Sequence, residues 1–397
     1  MQETRRAVNE TVTELENWRE AGFGLYLHWP FCAAKCPYCD FNSHVVEKID
    51  IDCWTKAYLT EIERLNEALG DRVLDSVFLG GGTPSMMPAS LVDTLLDAIV
   101  GHWRVADTLE ITLEANPTSS DALKFRDFAA AGVNRISVGL QALDDRSLRN
   151  LGRLHDAKEG LAAYDAARRA VERVSFDLIY ARQDQTLAAW QEELAQALEL
   201  EPSHLSLYQL TIEEGTVFSE RHKRGRLRGL PDEGLSVALY EHTLAACYEA
   251  GLLSYEVSNL ARAGAESRHN LIYWRGGDYA GIGPGAHGRL TLDGRRWATR
   301  SALLPGEWLR RVEQTGNGED LREALNDGEA AEEYLLMGLR LSEGIDEGRY
   351  RRLGGTGLPA EVIDSLAAEG LCWRSGSRLG LTENGRMVMD SLLVRLL

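Results

Sequence analysis

The chain has 397 residues, of which 44% are hydrophobic and 26% are charged, a composition typical of a globular protein with two or three domains. Its 61 Asp and Glu residues exceed its 43 Lys and Arg residues, which gives a formal net charge of -18. This charge disfavours binding to nucleic acid or to an anionic lipid surface. The sequence contains no run of about 18 apolar residues, so no integral membrane segment is predicted.

The first 20 residues are polar and lack the apolar core of a secretory signal. We therefore expect a cytoplasmic protein with an N-terminal extension over residues 1–20. Any membrane association is expected to be peripheral, through a partner protein.

Six short apolar or alternating runs follow, and amphipathic helical patterns separate them. This alternation predicts βαβ units with a parallel sheet. The predicted strands are 25–29, 76–80, 109–115, 135–139, 174–180 and 204–210. Since a closed barrel of this type has eight units, the fold class is α/β with a partial (β/α)6 barrel over residues 21–260. Functional residues of such barrels gather at the C-terminal ends of the strands.

Two further segments complete the predicted organisation. Residues 261–328 contain a histidine-aromatic motif and a glycine-rich stretch, and they connect the barrel to the C-terminal part. Residues 329–397 show two helical patterns, a short hairpin and a final helix, which predicts a helical, winged-helix-like domain. Acidic residues outnumber basic ones there, so we expect a packing or partner domain rather than a nucleic-acid reader.

Three cysteines lie within eight residues, directly after the first predicted strand: Cys32, Cys36 and Cys39. One interpretation is a structural zinc site, in which His44 completes a Cys₃His set. The other is a 4Fe-4S cluster held by three thiolates, which leaves one iron open to an exogenous ligand. A three-cysteine loop at the mouth of a βα barrel favours the cluster.

The spacing CxxxCxxC, with Tyr38 before the last cysteine, resembles the radical S-adenosylmethionine (SAM) superfamily, and the GGGTP turn at residues 80–84 resembles its glycine-rich loop. The resemblance implies that the open iron binds SAM, whose reductive cleavage yields a 5′-deoxyadenosyl radical. Longer segments resemble the oxygen-independent coproporphyrinogen III oxidases and the related HemW family of heme chaperones: YLHWPFCAAKCPYCDF, FLGGGTPS, LEITLEANP, GVNRISVGLQALDDRSLRNLGRLH and SFDLIYARQDQT.

Site roles follow from this resemblance, position by position. Cys32, Cys36 and Cys39 would bind the 4Fe-4S cluster, and Tyr26, Gly82 and Glu114 would contact the SAM on its open iron. A second SAM pocket, known from the oxidases, is matched by Tyr38, Thr83, Gln141, Arg153, Asp177 and Gln209.

Two features distinguish the chaperones from the oxidases. The oxidases carry a fourth cysteine two residues after the third, whereas this chain has Phe41 there. Residues 269–274 read HNLIYW and resemble the HNxxYW motif of the chaperones, which implies that His269 binds heme on an aromatic platform. His287, in the glycine-rich stretch, is a secondary candidate.

The resemblance therefore implies heme, a 4Fe-4S cluster and SAM as cofactors, and acceptor hemoproteins as partners. Two functions remain open: a heme chaperone without catalytic residues of its own, and an oxidase that acts in porphyrin biosynthesis. The chain departs from the family at residues 181–184, where Ala-Arg-Gln-Asp replaces a Gly-Leu-Pro-Gly-type turn, and at Trp29, where a small aliphatic residue is common. Both departures put the second SAM pocket in doubt.

Overall fold

The computed structural model describes residues 18–69, 72–118 and 122–397; most of the expected N-terminal extension, residues 1–17, lies outside the described residues. Within the described part, twelve strands form one mixed sheet. Their bounds in chain order are β1 (Phe23–Trp29), β2 (Val73–Gly81), β3 (Arg104–Ala115), β4 (Arg135–Gln141), β5 (Arg173–Tyr180), β6 (His204–Gln209), β7 (Leu253–Ser254), β8 (Asn259–Ala261), β9 (Asp278–Ile282), β10 (His287–Leu292), β11 (Arg295–Ser301) and β12 (Glu319–Ala324).

Strands β1 to β6 lie side by side in chain order and pair in parallel. Helices connect them, as the sequence pattern predicts. The helices of the described residues up to 315 are α1 (Ile51–Leu69), α2 (Ala89–His102), α3 (Phe125–Ala130), α4 (Asp145–Asn150), α5 (Ala157–Ala170), α6 (Leu187–Glu199), α7 (Val217–Lys223), α8 (Glu233–Glu249), α9 (Arg268–Trp274) and α10 (Pro305–Thr315).

Local sequence explains where these helices begin and which face they bury. Helix α5 starts at a capping box, in which Asp156 accepts from the Glu159 backbone and Glu159 accepts from the Asp156 backbone. Helix α1 is amphipathic, and its apolar face, which includes Trp54 and Ile62, packs into the main hydrophobic core with the buried strand residues. Burial of such side chains contributes roughly 1.5–3 kcal/mol each.

The edges of the sheet extend beyond the predicted six units. Strand β9 pairs in parallel with β1 and begins an antiparallel extension through β10, β11 and β12. On the other edge, β8 pairs antiparallel with β6, and β7 pairs with β8. The parallel strands keep one edge where all their C-terminal ends meet, and the loops at this edge contain the cysteine triplet.

A C-terminal domain follows with its own hydrophobic cluster of residues 330–396. It consists of α11 (Asp327–Gly338), β13 (Ile345–Asp346), α12 (Glu347–Arg352), α13 (Ala360–Ala368), β14 (Cys372–Ser375), β15 (Arg378–Leu381), α14 (Glu383–Met387) and α15 (Met389–Leu396). Strands β14 and β15 form the predicted hairpin, and β13 pairs with β15 as a third strand. Among the described residues of the whole chain, no helix is both long and apolar enough to cross a membrane.

Candidate cofactor site

A cavity of about 800 Å³ opens at the C-terminal ends of the parallel strands, a volume in the range of small-molecule and cofactor sites. Eleven residues singled out from the sequence line it: Cys32, Cys36, Tyr38, Cys39, Gly82, Thr83, Glu114, Gln141, Arg153, Asp177 and Gln209. The cavity thus brings together the three thiols and every position matched to a second SAM pocket. Tyr26 and His269 do not line it.

The three thiols stand around the mouth of this cavity, and two of them accept hydrogen bonds from one network. Thr83 Oγ1 donates to Cys32 Sγ at 3.3 Å, and Arg153 Nη1 donates to Cys36 Sγ at 3.6 Å. Asn116 links the two donors: its Nδ2 donates to Thr83 Oγ1 at 3.0 Å, and its Oδ1 accepts from Arg153 Nη2 at 2.7 Å. Such donors stabilise thiolate, the form that binds metal.

The charge balance of the triplet also fits a metal-bound group. Burial raises the pKa of the Cys32 and Cys39 thiols, and repulsion from neighbouring cysteine thiolates raises it further. Iron would reverse this effect, since a coordinating thiol is deprotonated by the metal. The residues present therefore fit a cluster with three thiolate ligands.

The zinc alternative finds no support in the geometry. His44 Nε2 lies 3.0 Å from Asn42 Oδ1, and its backbone carbonyl accepts from the Cys32 amide. In the described ranges, no three His, Cys, Asp or Glu side chains are arranged to hold a single ion. Three separated thiols suit a multi-iron cluster better than a tetrahedral Cys₃His site.

The glycine-rich turn after β2 is fixed by the chain itself. Gly82 donates to the Trp29 carbonyl at 2.7 Å, and a Cβ on Gly82 would lie 2.7 Å from the Phe31 carbonyl oxygen. Only glycine therefore fits there, because any side chain would collide with the backbone that leads to Cys32. This contact explains structurally why residue 82 is a glycine, in addition to the predicted approach of its backbone to SAM.

Two half-buried carboxylates, Glu114 and Asp177, line the cavity. Burial, reinforced by Asp177, raises the pKa of Glu114 to about 8, although a hydrogen bond from the Gly81 amide opposes the shift. Burial likewise raises the pKa of Asp177 to about 6, against hydrogen bonds from Ser206 and Ser137. Two acids with separated pKa values in one cavity are typical of a functional site, here one that suits a cationic ligand.

Tyr26 lies in the barrel interior and begins a chain of hydrogen bonds that leads to the cysteine loop. Its hydroxyl lies 3.0 Å from His28 Nδ1, and His28 Nε2 lies 2.8 Å from the Asn42 carbonyl oxygen. The position of Tyr26 is thereby coupled to the loop after Cys39, but its side chain is not part of the cavity wall.

The structure places His269 in the barrel interior rather than on an open platform. Its side chain is 2% exposed, with Nδ1 2.9 Å from Ser76 Oγ and Nε2 3.0 Å from the Tyr273 hydroxyl. Its ring stacks on Phe78, with centroids 4.7 Å apart, and burial, together with Arg135, lowers its pKa to about 3.

His269 also lies toward the wrong end of the strands for the cluster. Ser76, its partner, pairs with Gly24 near the start of β1, whereas Cys32 follows the end of that strand. With a rise of about 3.3 Å per residue, these ends are roughly 16 Å apart. Both ring nitrogens are engaged within the protein, so a bond from His269 to iron would require one of these hydrogen bonds to break first. The role of His269 as an axial ligand stays a prediction. The N-terminal end of such barrels generally serves stability.

The departure at residues 181–184 has a structural counterpart. Ala181 and Asp184 both adopt left-handed backbone, with φ near 58°, at the positions where the family turn has glycine. Arg182 is buried and pairs bidentately with Glu193, and it donates to the Gln141 carbonyl at 3.4 Å. The turn therefore keeps its shape, and Arg182 supports Gln141, which itself has a positive φ of 69°.

Sequence reasoning missed three residues with a place in this site. Asn116 follows the LEITLEA strand and connects the donors of two thiols. Asn42 ties the cysteine loop to the chain near residues 284 and 303. Arg340, from the C-terminal domain, lines the cavity with its guanidinium 4.5 Å from the Trp274 ring centroid. Asn116 lies within the LEITLEANP segment, but nothing in the sequence indicates that residue 340 reaches the barrel.

Comparisons with known proteins agree with this architecture. The Radical SAM superfamily profile matches residues 26–196, and the HemN C-terminal domain profile matches residues 325–388. The chain is 37% identical to the heme chaperone HemW of Escherichia coli (strain K12), over 93% of this chain and 96% of that protein. It is 38% identical to the mitochondrial radical S-adenosyl methionine domain-containing protein 1 of Bos taurus, over 94% of this chain and 87% of that protein.

Among solved structures, the coproporphyrinogen III oxidase HemN from Escherichia coli, a radical SAM enzyme, superposes with a TM-score of 0.79. The superposition covers 95% of this chain and 90% of the oxidase chain, and the sequence identity is 20%. This likeness confirms the predicted α/β fold, and the second profile match agrees with the C-terminal domain seen in the structure.

Proposed function

The chain belongs to the radical SAM family that includes the HemN and HemW proteins, and from this premise we propose that it is a heme chaperone, which binds heme and passes it to acceptor hemoproteins. The proposal includes a bound 4Fe-4S cluster and SAM, which stabilise or gate the heme-loaded state. It also includes a cytoplasmic location.

The observation that carries the proposal is Phe41. The oxidases that this chain resembles have a fourth cysteine at the corresponding position. Here the phenyl ring of Phe41 lines the cavity mouth and is 56% exposed. A phenyl ring cannot take over the chemistry of a thiol, and it offers a flat apolar face to a ligand at the mouth. The similarity to a heme chaperone over nearly its whole length supports the same function.

The cluster and SAM each have residues that would hold them. Cys32, Cys36 and Cys39 would bind the cluster, which supplies an electron-transfer centre with one iron open to SAM. Thr83 and Arg153 would stabilise the thiolates through the hydrogen bonds described above. We propose that Glu114 and Gly82 contact the SAM directly, and that Tyr26 acts from behind, through His28.

The proposal also includes a pocket for a second SAM. Its candidate residues are Tyr38, Thr83, Gln141, Arg153, Asp177 and Gln209, all of which line the cavity. However, Thr83 and Arg153 are already engaged with the thiols through Asn116. Their use in a second pocket would compete with their hydrogen bonds to Cys32 and Cys36.

The test of the chaperone function is a direct comparison of heme binding, heme transfer and catalysis. Anaerobically reconstituted protein should bind about one heme per chain and pass it to an apo-hemoprotein, measured by the Soret absorbance of the acceptor. With SAM, a strong reductant and coproporphyrinogen III, turnover should be negligible beside a purified oxidase control. Steady accumulation of protoporphyrinogen IX would favour the oxidase instead, and absence of heme binding would remove the chaperone function.

The raised pKa of Glu114 predicts that the free energy of unfolding of the SAM-free protein depends on pH. Between its ordinary value of 4.5 and about 8, the folded state keeps the proton that the unfolded state releases, so stability falls as pH rises through this window. Glu114→Gln keeps an acceptor for the Gly81 amide and removes the ionisation. We expect this variant to gain at least about 1 kcal/mol relative to the parent at pH 8 and little at pH 5.

The measurement is denaturant unfolding at several pH values. The matched control is Glu63→Gln, on the exposed face of α1, whose difference from the parent should not change with pH. An identical pH profile for the parent and Glu114→Gln would show that Glu114 is ionised without cost in the folded protein.

A further inference from the structure

Exposed apolar side chains concentrate on two loops beside the cavity mouth. Phe41, Val45 and Val46 follow the cysteine triplet, and Leu303 and Leu304 follow β11. Val45 and Leu304 are 57% and 60% exposed. We call these five residues the rim patch. Scattered exposed apolar residues are normal, but a grouped set marks an interaction site.

The two loops of the rim patch are held together by Asn42. Its Nδ2 donates to the Leu303 carbonyl at 2.8 Å and to the Pro284 carbonyl at 3.0 Å. A Cβ on Gly285 would meet both Asn42 and the Leu303 side chain, at 2.5 and 3.3 Å. Asn42 thus joins the two loops that carry the rim patch.

His287 stands at the edge of this surface, two residues after Gly285. It opens β10 opposite Arg300, and its side chain is exposed. Among the described residues, none forms a hydrogen bond with its ring. Partial burial of the ring, with Arg289 and Arg300, lowers the pKa of His287, which favours the neutral imidazole that binds iron. His28 lies close to both His287 and His44, since each of these two imidazoles lowers the pKa of His28.

A cationic group borders the same surface, in a protein whose net charge is strongly negative. The Lys35 ammonium donates to the Ser43 carbonyl at 3.4 Å and helps to lower the pKa of His44. An apolar surface with an imidazole and a nearby ammonium matches the chemistry of one ligand class: a flat apolar macrocycle with a central iron and carboxylate side chains.

We propose that heme docks on the rim patch with His287 as its axial ligand and with Lys35 near its propionates. This inference rests on the proposed chaperone function and names the site that function requires. His287 is exposed and His269 is buried, so only His287 could bind an external iron without an opening of the barrel. A lone pair of the imidazole forms the bond to iron in place of a water ligand, and no electron is transferred. A site open on one side also suits a protein that must release its heme.

The test is a titration of ferric heme into anaerobically reconstituted protein, followed by the Soret band. We expect His287→Ala to weaken binding about tenfold or more, equivalent to about 1.4 kcal/mol, and to change the Soret position because the axial ligand is lost. The double variant Val45→Asp/Leu303→Asp should weaken binding to a similar degree, because it places charge under the macrocycle. The matched controls are His222→Ala and Val394→Asp, on exposed helical surfaces elsewhere, and both should bind like the parent.

Two failures are distinguishable. A parent protein that binds no heme overturns the chaperone function itself. A parent that binds heme, with His287→Ala or the double variant binding equally well, overturns the rim site and leaves the chaperone function in place. The iron content of every variant, measured in parallel, shows whether the cluster loop has survived the substitution.

Discussion

Cys36→Ala is expected to remove the 4Fe-4S cluster completely, as seen in a loss of about four irons per chain and of the broad visible absorbance. The reason is the donor set: three thiols line the cavity, and Cys36 is the one that accepts from Arg153. With two thiolates left, the cluster has too few protein ligands to be retained. The measurement is anaerobic reconstitution followed by iron and sulfide quantification.

The matched control for this variant is Cys53→Ala. Cys53 lies on α1, where its thiol contacts Glu313 and not the cavity. We expect Cys53→Ala to keep its full iron content. Stoichiometric zinc without iron in the parent protein would contradict the cluster and restore the zinc interpretation.

His269→Ala is expected to lower the free energy of unfolding by about 3–5 kcal/mol, measured by chemical denaturation. The substitution leaves a cavity between Tyr26 and Phe78, and it removes the hydrogen-bond partner of Ser76 Oγ and of the Tyr273 hydroxyl. Both effects add, since the imidazole is buried and its two nitrogens are satisfied. The exposed His222→Ala should change stability by less than about 0.5 kcal/mol.

The same variant separates a structural role from a ligand role. If His269 has only a structural role, the His269→Ala protein that remains folded should bind heme as tightly as the parent does. His269→Gln, which retains hydrogen-bonding atoms, should recover part of the lost stability. A His269→Ala protein of parental stability that no longer binds heme would make His269 the axial ligand after all.

The sequence pattern predicted the parts of this fold that repeat. Apolar runs between amphipathic helices located strands β1 to β6, because buried parallel strands need continuous apolar residues. The antiparallel extension was not predicted: β12 has the sequence EDLREA, whose charged side chains show no strand alternation. Its strand form comes from pairing with β11, a tertiary contact that no local pattern records.

The assembly of the cavity follows from the sequence more directly than the surroundings of His269 do. A cysteine triplet after a strand and acids at strand ends must meet at one edge of a parallel sheet, so their assembly follows from topology. The position of His269 depends instead on how helix α9 packs under β2. A motif of histidine and aromatic residues looks the same in sequence whether it faces solvent or core, and only the packing against Phe78 and Ser76 distinguishes the two.

Asn42 gives this arrangement a thermodynamic consequence. Its amide joins the loop that follows the cluster cysteines to the loop that contains Leu303, so order in one loop favours order in the other. On the rim proposal, iron–sulfur assembly and porphyrin capture become two linked equilibria. Linkage is reciprocal: the factor by which the cluster tightens the hold on heme is the factor by which heme protects the cluster. Oxidative loss of iron from the cluster would then weaken heme binding as well, so that heme transfer responds to the redox state of the cell.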